Sequence, residues 1–135
     1  MVQKIIESNY NLAHQIKETL QNDNAVKKSC QTNPSGEITF SIRDGELQII
    51  TFKRSKELIS QGEMLEKDSA SGMKEESFKS LVGLLSNYVK KHNDHLYHLK
   101  IILNYQMNKN GTSFDGLSAG EIHEFHYKRR QTKNA

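Results

Sequence analysis

Two residues, Asp44 and Gly45, separate two runs of alternating β-formers. Glu37-Ile38-Thr39-Phe40-Ser41-Ile42-Arg43 precedes them and Glu46-Leu47-Gln48-Ile49-Ile50-Thr51-Phe52 follows. Asp-Gly in such a setting predicts a two-residue type I′ turn, whose central positions both need positive φ. The turn sets a register in which Arg43 pairs with Glu46, Ile42 with Leu47 and Phe40 with Ile49. Successive strand residues point to opposite faces. Ile38, Phe40, Ile42, Leu47 and Ile49 therefore share an apolar face, and Thr39, Ser41, Arg43, Glu46 and Gln48 a polar one. Ile50 and Phe52 stand as apolar exceptions on the polar side.

A second strand pair is readable between His95 and Arg130. His95 to Met107 and Glu121 to Arg130 flank a Gly/Ser/Asn-rich stretch, Asn108 to Ser118, read as a loop of about ten residues. With Met107 opposite Ala119, one face carries Tyr97, Leu99, Ile101, Leu103, Tyr105 and Met107 against His123, Phe125 and Tyr127. The other carries His98, Lys100, Ile102, Asn104 and Gln106 against Ile122, Glu124, His126 and Lys128. One face is a core and the other is wet and mildly basic. The loop exceeds the usual two to five residues of a hairpin and holds Phe114 and Leu117 among small polar residues. Apolar side chains at the tip of a projecting loop can insert into a partner. Equally, Phe114 can fold back over the end of the hairpin.

Two helices complete the pattern. Val2, Ile5, Leu12, Ile16 and Leu20 recur at helical spacing over residues 2–21, with Asn9 interrupting the stripe. Phe78, Leu81, Val82, Leu85, Tyr88 and Val89 mark a helix over residues 73–91, with acids at its start and bases at its end. Residues 25–36 read as a loop, and residues 53–72 as a mobile or partly helical segment. The order α-β-β-α-β-β predicts an α+β fold: a four-stranded antiparallel sheet from two β-hairpins, packed against two amphipathic helices. The 135 residues fit a single domain over 1–130 with a basic flexible tail at 131–135.

Charge and cysteine content narrow the function. The net charge of +3 is a weak basic excess, so nucleic-acid binding would need a concentrated patch. Cys30 is the lone cysteine, which excludes a disulfide scaffold and makes a reducing cytoplasm the expected location. No apolar run approaches the roughly 18 residues that span a bilayer, and Glu7 comes too early for a signal peptide. A membrane partner is not expected.

Candidate chemistry is sparse. His92, His95 and His98 are spaced by three, as are His123 and His126. On strands an odd spacing sends neighbours to opposite faces, so only His98 and His126 meet, diagonally, with Glu124 and Asp94 as further carboxylates. Nothing sets a base beside Cys30, although Lys27 and Lys28 would lower its pKa if close. Gly111, Gly116 and Gly120 lack the ending of a phosphate loop. These observations lean away from an enzyme, call for no cofactor, and favour a small non-enzymatic binding module. Such a regulatory or accessory protein would act by protein–protein contact, with Phe114 and Leu117 as its contact residues. The open edges of the sheet also offer a route to a homodimer. The alternative is nucleic-acid binding by His98, Lys100, His126, Lys128 and Arg130 on one face of the last hairpin, extended by Lys133. A metal-dependent activity at the His98–His126 pair is the third and remotest reading.

Overall fold

The computed structural model describes residues 2–54, 59–60, 63–64, 71–125 and 127, with side chains from Ile6 onward and backbone alone at 59–60 and 63–64. Helix α1 spans Val2–Asn22, α2 Asn24–Thr32 and α3 Glu75–Lys90. Strands β1 (Ser35–Arg43), β2 (Glu46–Arg54), β5 (Leu99–Met107) and β6 (Phe114–His123) form one antiparallel sheet in the order β2-β1-β5-β6. Between them, β3 (Ile59–Ser60) and β4 (Glu63–Met64) make a separate two-residue pair. The expected α+β class and the order of its main elements hold. Within 53–72, Lys53 and Arg54 extend β2, 59–60 and 63–64 form β3 and β4, and no described part is helical; 55–58, 61–62 and 65–70 lie outside the described residues.

The Asp-Gly turn forms as its sequence requires, with φ of 53° at Asp44 and 74° at Gly45. Beyond it the register departs from a regular hairpin. Arg43 faces Glu46 and Ile42 faces Leu47, but Ser41 faces Ile49 and Phe40 faces Ile50. Gln48 is left over as a β-bulge, which shifts every later residue of β2 to the other face. Ile50 and Phe52 thereby turn inward and pack on the core, while Ile49 turns out and is 58% exposed. The two apolar exceptions of a regular pairing were the mark of the bulge.

Residues 25–36 are not a loop throughout, since α2 occupies most of them. The Asp23 carboxylate caps it by accepting from Ala25 N–H at 2.9 Å. Val26 and Cys30, four apart, then face the core. Asn9, the interruption in the α1 stripe, is 1% exposed and acts as a clamp. Its amide donates to His92 O at 3.2 Å and Asp94 O at 3.0 Å, and its oxygen accepts from Leu96 N–H. A buried amide so satisfied fixes the chain between α3 and β5.

The last hairpin corrects the expected pairing. Leu103, not Met107, lies opposite Ala119; Leu99 lies opposite His123 and Met107 opposite Phe114. The slip is even, so odd-numbered residues of β5 still face inward. The connection shrinks to Asn108–Ser113, because Asn108 folds it into a tight loop. Its Oδ1 accepts from Thr112 N–H and Ser113 N–H, and its own N–H donates to Ser113 O. Gly111, at φ 71°, sends its carbonyl to Lys74 N–H and Ser77 Oγ, each at 2.9 Å, at the start of α3. β5 starts at Leu99 rather than His95, and Tyr97 is 41% exposed.

Both long helices cover one face of the sheet. Leu12, Ala13, Ile16 and Leu20 of α1 and Phe78, Leu81, Val82, Leu85 and Val89 of α3 are buried against Ile38, Phe40 and Ile42 of β1 and Leu99, Ile101 and Leu103 of β5. Each such side chain contributes about 1.5–3 kcal/mol. Across β6 the same face is open: Ala119 is exposed and Leu117 is 36% exposed. Phe125 and Tyr127, expected in the core, are 75% and 87% exposed, because β6 ends at His123 and both lie beyond it. The bulge predicts an order of stabilities in β2. Ile49→Ala should change stability by no more than about 0.5 kcal/mol, and Ile50→Ala should cost about 1–2 kcal/mol, measured by urea unfolding. The reverse order would restore the regular hairpin.

Candidate functional site

β6 is the edge strand beyond which no other described strand lies. Its hydrogen-bonding phase follows from one bond, Glu124 N–H to His98 O at 3.0 Å. Bonded and non-bonded pairs alternate along an antiparallel ladder. Ile122, Gly120 and Ser118 therefore bond to β5, and Leu117, Ala119, Glu121 and His123 turn N–H and C=O away from it. Edges of this kind are normally guarded by charge, Pro or a bulge. The opposite edge, β2, has all but Pro: Glu46, Lys53 and Arg54 are charged and Gln48 is bulged. β6 has a bulge of its own at Asp115, near its start, but the five residues that follow, from Gly116 to Gly120, carry no charge and no Pro. A Cβ added at Gly120 would meet nothing within 4 Å. The edge is narrow enough in side-chain bulk for another backbone to come alongside.

The edge is held from behind by one carboxylate. Glu121 reaches back from β6 to α3, where Tyr88 O–H donates to its Oε2 and His92 Nε2 lies 2.5 Å from the same oxygen. His123 Nε2 lies 2.8 Å from Oε1. The side chains of Glu121 and His92 are 14% and 16% exposed. Burial alone would raise the Glu121 carboxyl, but the hydrogen bonds from Tyr88, His123 and His92 carry it below its ordinary value. Burial and the neighbouring carboxylate push the Tyr88 phenol up, so it stays a neutral donor. The cluster thus works as an anchor. Sequence reasoning missed it; the signal was the i, i+4 spacing of Tyr88 and His92, which points both side chains the same way at the end of α3.

The residues singled out from the sequence are scattered. Phe114 opens β6 and packs half-buried against the core, the fold-back arrangement, and Leu117 sits within the strand opposite Tyr105. Neither is at a loop tip. Lys100 is exposed on the outer face between Ser41 and Ile122. His98 Nδ1 accepts from Asp44 N–H at 3.4 Å, and its ring meets Tyr97 edge-on at 4.4 Å. His126, Lys128, Arg130 and Lys133 lie outside the described residues.

Cys30 is fully buried, and burial pushes its thiol up to about 12, far from a nucleophile's range. Among the described residues no group of three or more His, Cys, Asp or Glu is arranged to hold a metal ion. Ser8 Oγ lies 3.0 Å from His95 Nε2, the spacing of a nucleophile and its base. The nearby Gly45 N–H, a candidate oxyanion donor, is spent on Tyr97 O at 3.0 Å. No described helix is long and apolar enough to cross a membrane.

Comparison with family models, with curated proteins and with solved structures returned no match to this chain. The anchor has a measurable pH signature. A carboxyl held below its ordinary pKa stabilises the fold above the unfolded value and loses that contribution as pH falls through the folded one. Glu121→Gln should cost about 1–3 kcal/mol at pH 7 and flatten the loss of stability that the wild type shows as pH falls below the ordinary glutamate value of 4.5, followed by urea unfolding at each pH. Parallel profiles for the two proteins would remove Glu121 from the anchor.

Proposed function

We propose that the chain is a small non-enzymatic binding module that acts by protein–protein contact, and that it makes the contact by taking up an extended strand along the edge of β6 beyond which no described strand lies. One observation carries the reading: Leu117, Ala119, Glu121 and His123 direct backbone donors and acceptors outward on an edge with no guarding charge between Gly116 and Gly120. Strand addition draws its affinity from main-chain hydrogen bonds of this sort, and its specificity from the alternate side chains. The Glu121 anchor supports it further. A strand already fixed to α3 loses little conformational freedom when a partner pairs with it. Leu117 and Ile122, 36% and 52% exposed on opposite faces of the same strand, would be covered in the process.

Nucleic-acid binding on the outer face is less well supported. Lys100 shares that face with Lys53 and Arg43 but also with Glu37 and Glu46, and no described Phe, Tyr or Trp stands on it for bases to stack against. A photo-cross-linking residue, p-benzoylphenylalanine, placed at Leu117 tests the main reading in cells expressing the full chain, with Leu84 on the exposed side of α3 as control. A cross-linked product at Leu117, absent at Leu84 and lost when Ala119→Pro is added, is the expected result. No product at Leu117, or equal yield at Leu84, would overturn strand addition.

A further inference from the structure

We infer that the strand taken up by the β6 edge is β6 of a second copy of this chain, giving a two-fold dimer with a continuous eight-stranded sheet. The inference rests on the strand-addition reading above and adds the identity of the partner. Three observations point to self-pairing.

An antiparallel edge can pair with itself about a two-fold axis, and such an interface closes without leaving a further site open. The two edges of the sheet differ in the way a closed dimer needs. Joining β6 to β6 would leave β2 at both ends of the combined sheet, where Glu46, Lys53, Arg54 and the Gln48 bulge stop further growth. Joining β6 to β2 of another copy would leave one unguarded edge at every step and build a filament.

Charge then selects the register. Only residues whose N–H and C=O point outward can exchange bonds, so the axis must fall on a residue of β6. An axis at Ser118 brings the bulged Asp115 beside Glu121 of the second copy, and like charges that close are destabilising. An axis at Gly120 leaves Asp115 and Glu121 without an opposite charge. An axis at Ala119 brings the bulged Asp115 beside His123 of the second copy at both ends of the ladder. It also places Ala119 opposite itself and Leu117 opposite Glu121. Small residues fill the centre: Gly116, Ser118, Ala119 and Gly120 keep the two backbones free of side-chain obstruction.

The test uses the full-length chain. Light scattering after size-exclusion chromatography, over a range of concentrations, should give twice the mass of one chain. Ala119→Lys sets a charge at the centre of the edge and should return the mass to that of a monomer, with an unchanged far-ultraviolet circular dichroism spectrum and a cooperative unfolding transition showing that the fold survives. Ala119→Cys provides the positive counterpart. Opposed alanines in a bonded pair sit about 5.5 Å apart at Cα, within disulfide reach. Mild oxidation with diamide should therefore link the two copies, while Leu84→Cys stays single and the buried Cys30 stays silent. A monomer at every concentration overturns the inference, as does a dimer that persists in Ala119→Lys or a link no faster at Ala119 than at Leu84. In each of those cases strand addition itself is judged separately, by whether the Leu117 cross-link joins the chain to a different protein.

Discussion

The alternation of side chains along a strand is the constraint on which the rest of this molecule depends. β1 and β5 lie at the centre of the sheet, and their inward residues from Ile38 to Ile42 and from Leu99 to Met107 form the floor on which both long helices pack. β2 can join that floor only by breaking step once. Leu47 faces inward near the turn, and Ile50 and Phe52 face inward further out, which a regular strand forbids. The single unpaired residue at Gln48 resolves the conflict and lets the Phe52 ring reach within 6.3 Å of Tyr105 between centroids. The bulge also roughens the β2 edge, so one local irregularity serves both the core and the protection of that side of the sheet.

Polar side chains do the positioning that apolar burial cannot. Asn9 clamps the turn after α3 from the far side of the helix layer, Asn108 closes the last hairpin, and Glu121 draws the edge strand back to α3. Burial is nearly direction-free, whereas each of these groups is satisfied in only one geometry. The helix layer packs mainly on β1 and β5 and leaves Leu117 and Ala119 of β6 exposed. The candidate interaction edge is a consequence of the strand order, in which no described strand lies beyond β6.

Much of the architecture was legible in the sequence, and the losses have definite causes. The Asp44-Gly45 turn and the two long helices follow from local chemistry and periodicity, which need no knowledge of the rest of the chain. The pairing of the last hairpin does not. Gly116, Ser118, Ala119 and Gly120 have no side-chain pattern to show which face they occupy, and their composition imitates a loop. α2 escaped because it is nine residues long, carries Lys27 and Lys28, and rests on a single capping aspartate. The β6 edge was invisible for a deeper reason. Its donors and acceptors are backbone groups, common to every residue, and only the topology decides which of them are left without a neighbour.

The central pairing of β1 with β5 has a consequence for how the chain comes into being. Ile42 and Leu99 are partners in the sheet, yet a large part of the chain separates them in sequence. At a synthesis rate of about 5–20 residues per second, the first hairpin and both N-terminal helices wait several seconds for the strand that completes their core. During that interval Ile38, Phe40 and Ile42 sit on a sheet whose inner edge is open and whose helix α3 does not yet exist. In the finished protein no described strand lies beyond β6, whereas in the nascent one β1 is itself an edge. Ordered synthesis thus exposes a strand from the centre of the sheet before the one at its rim.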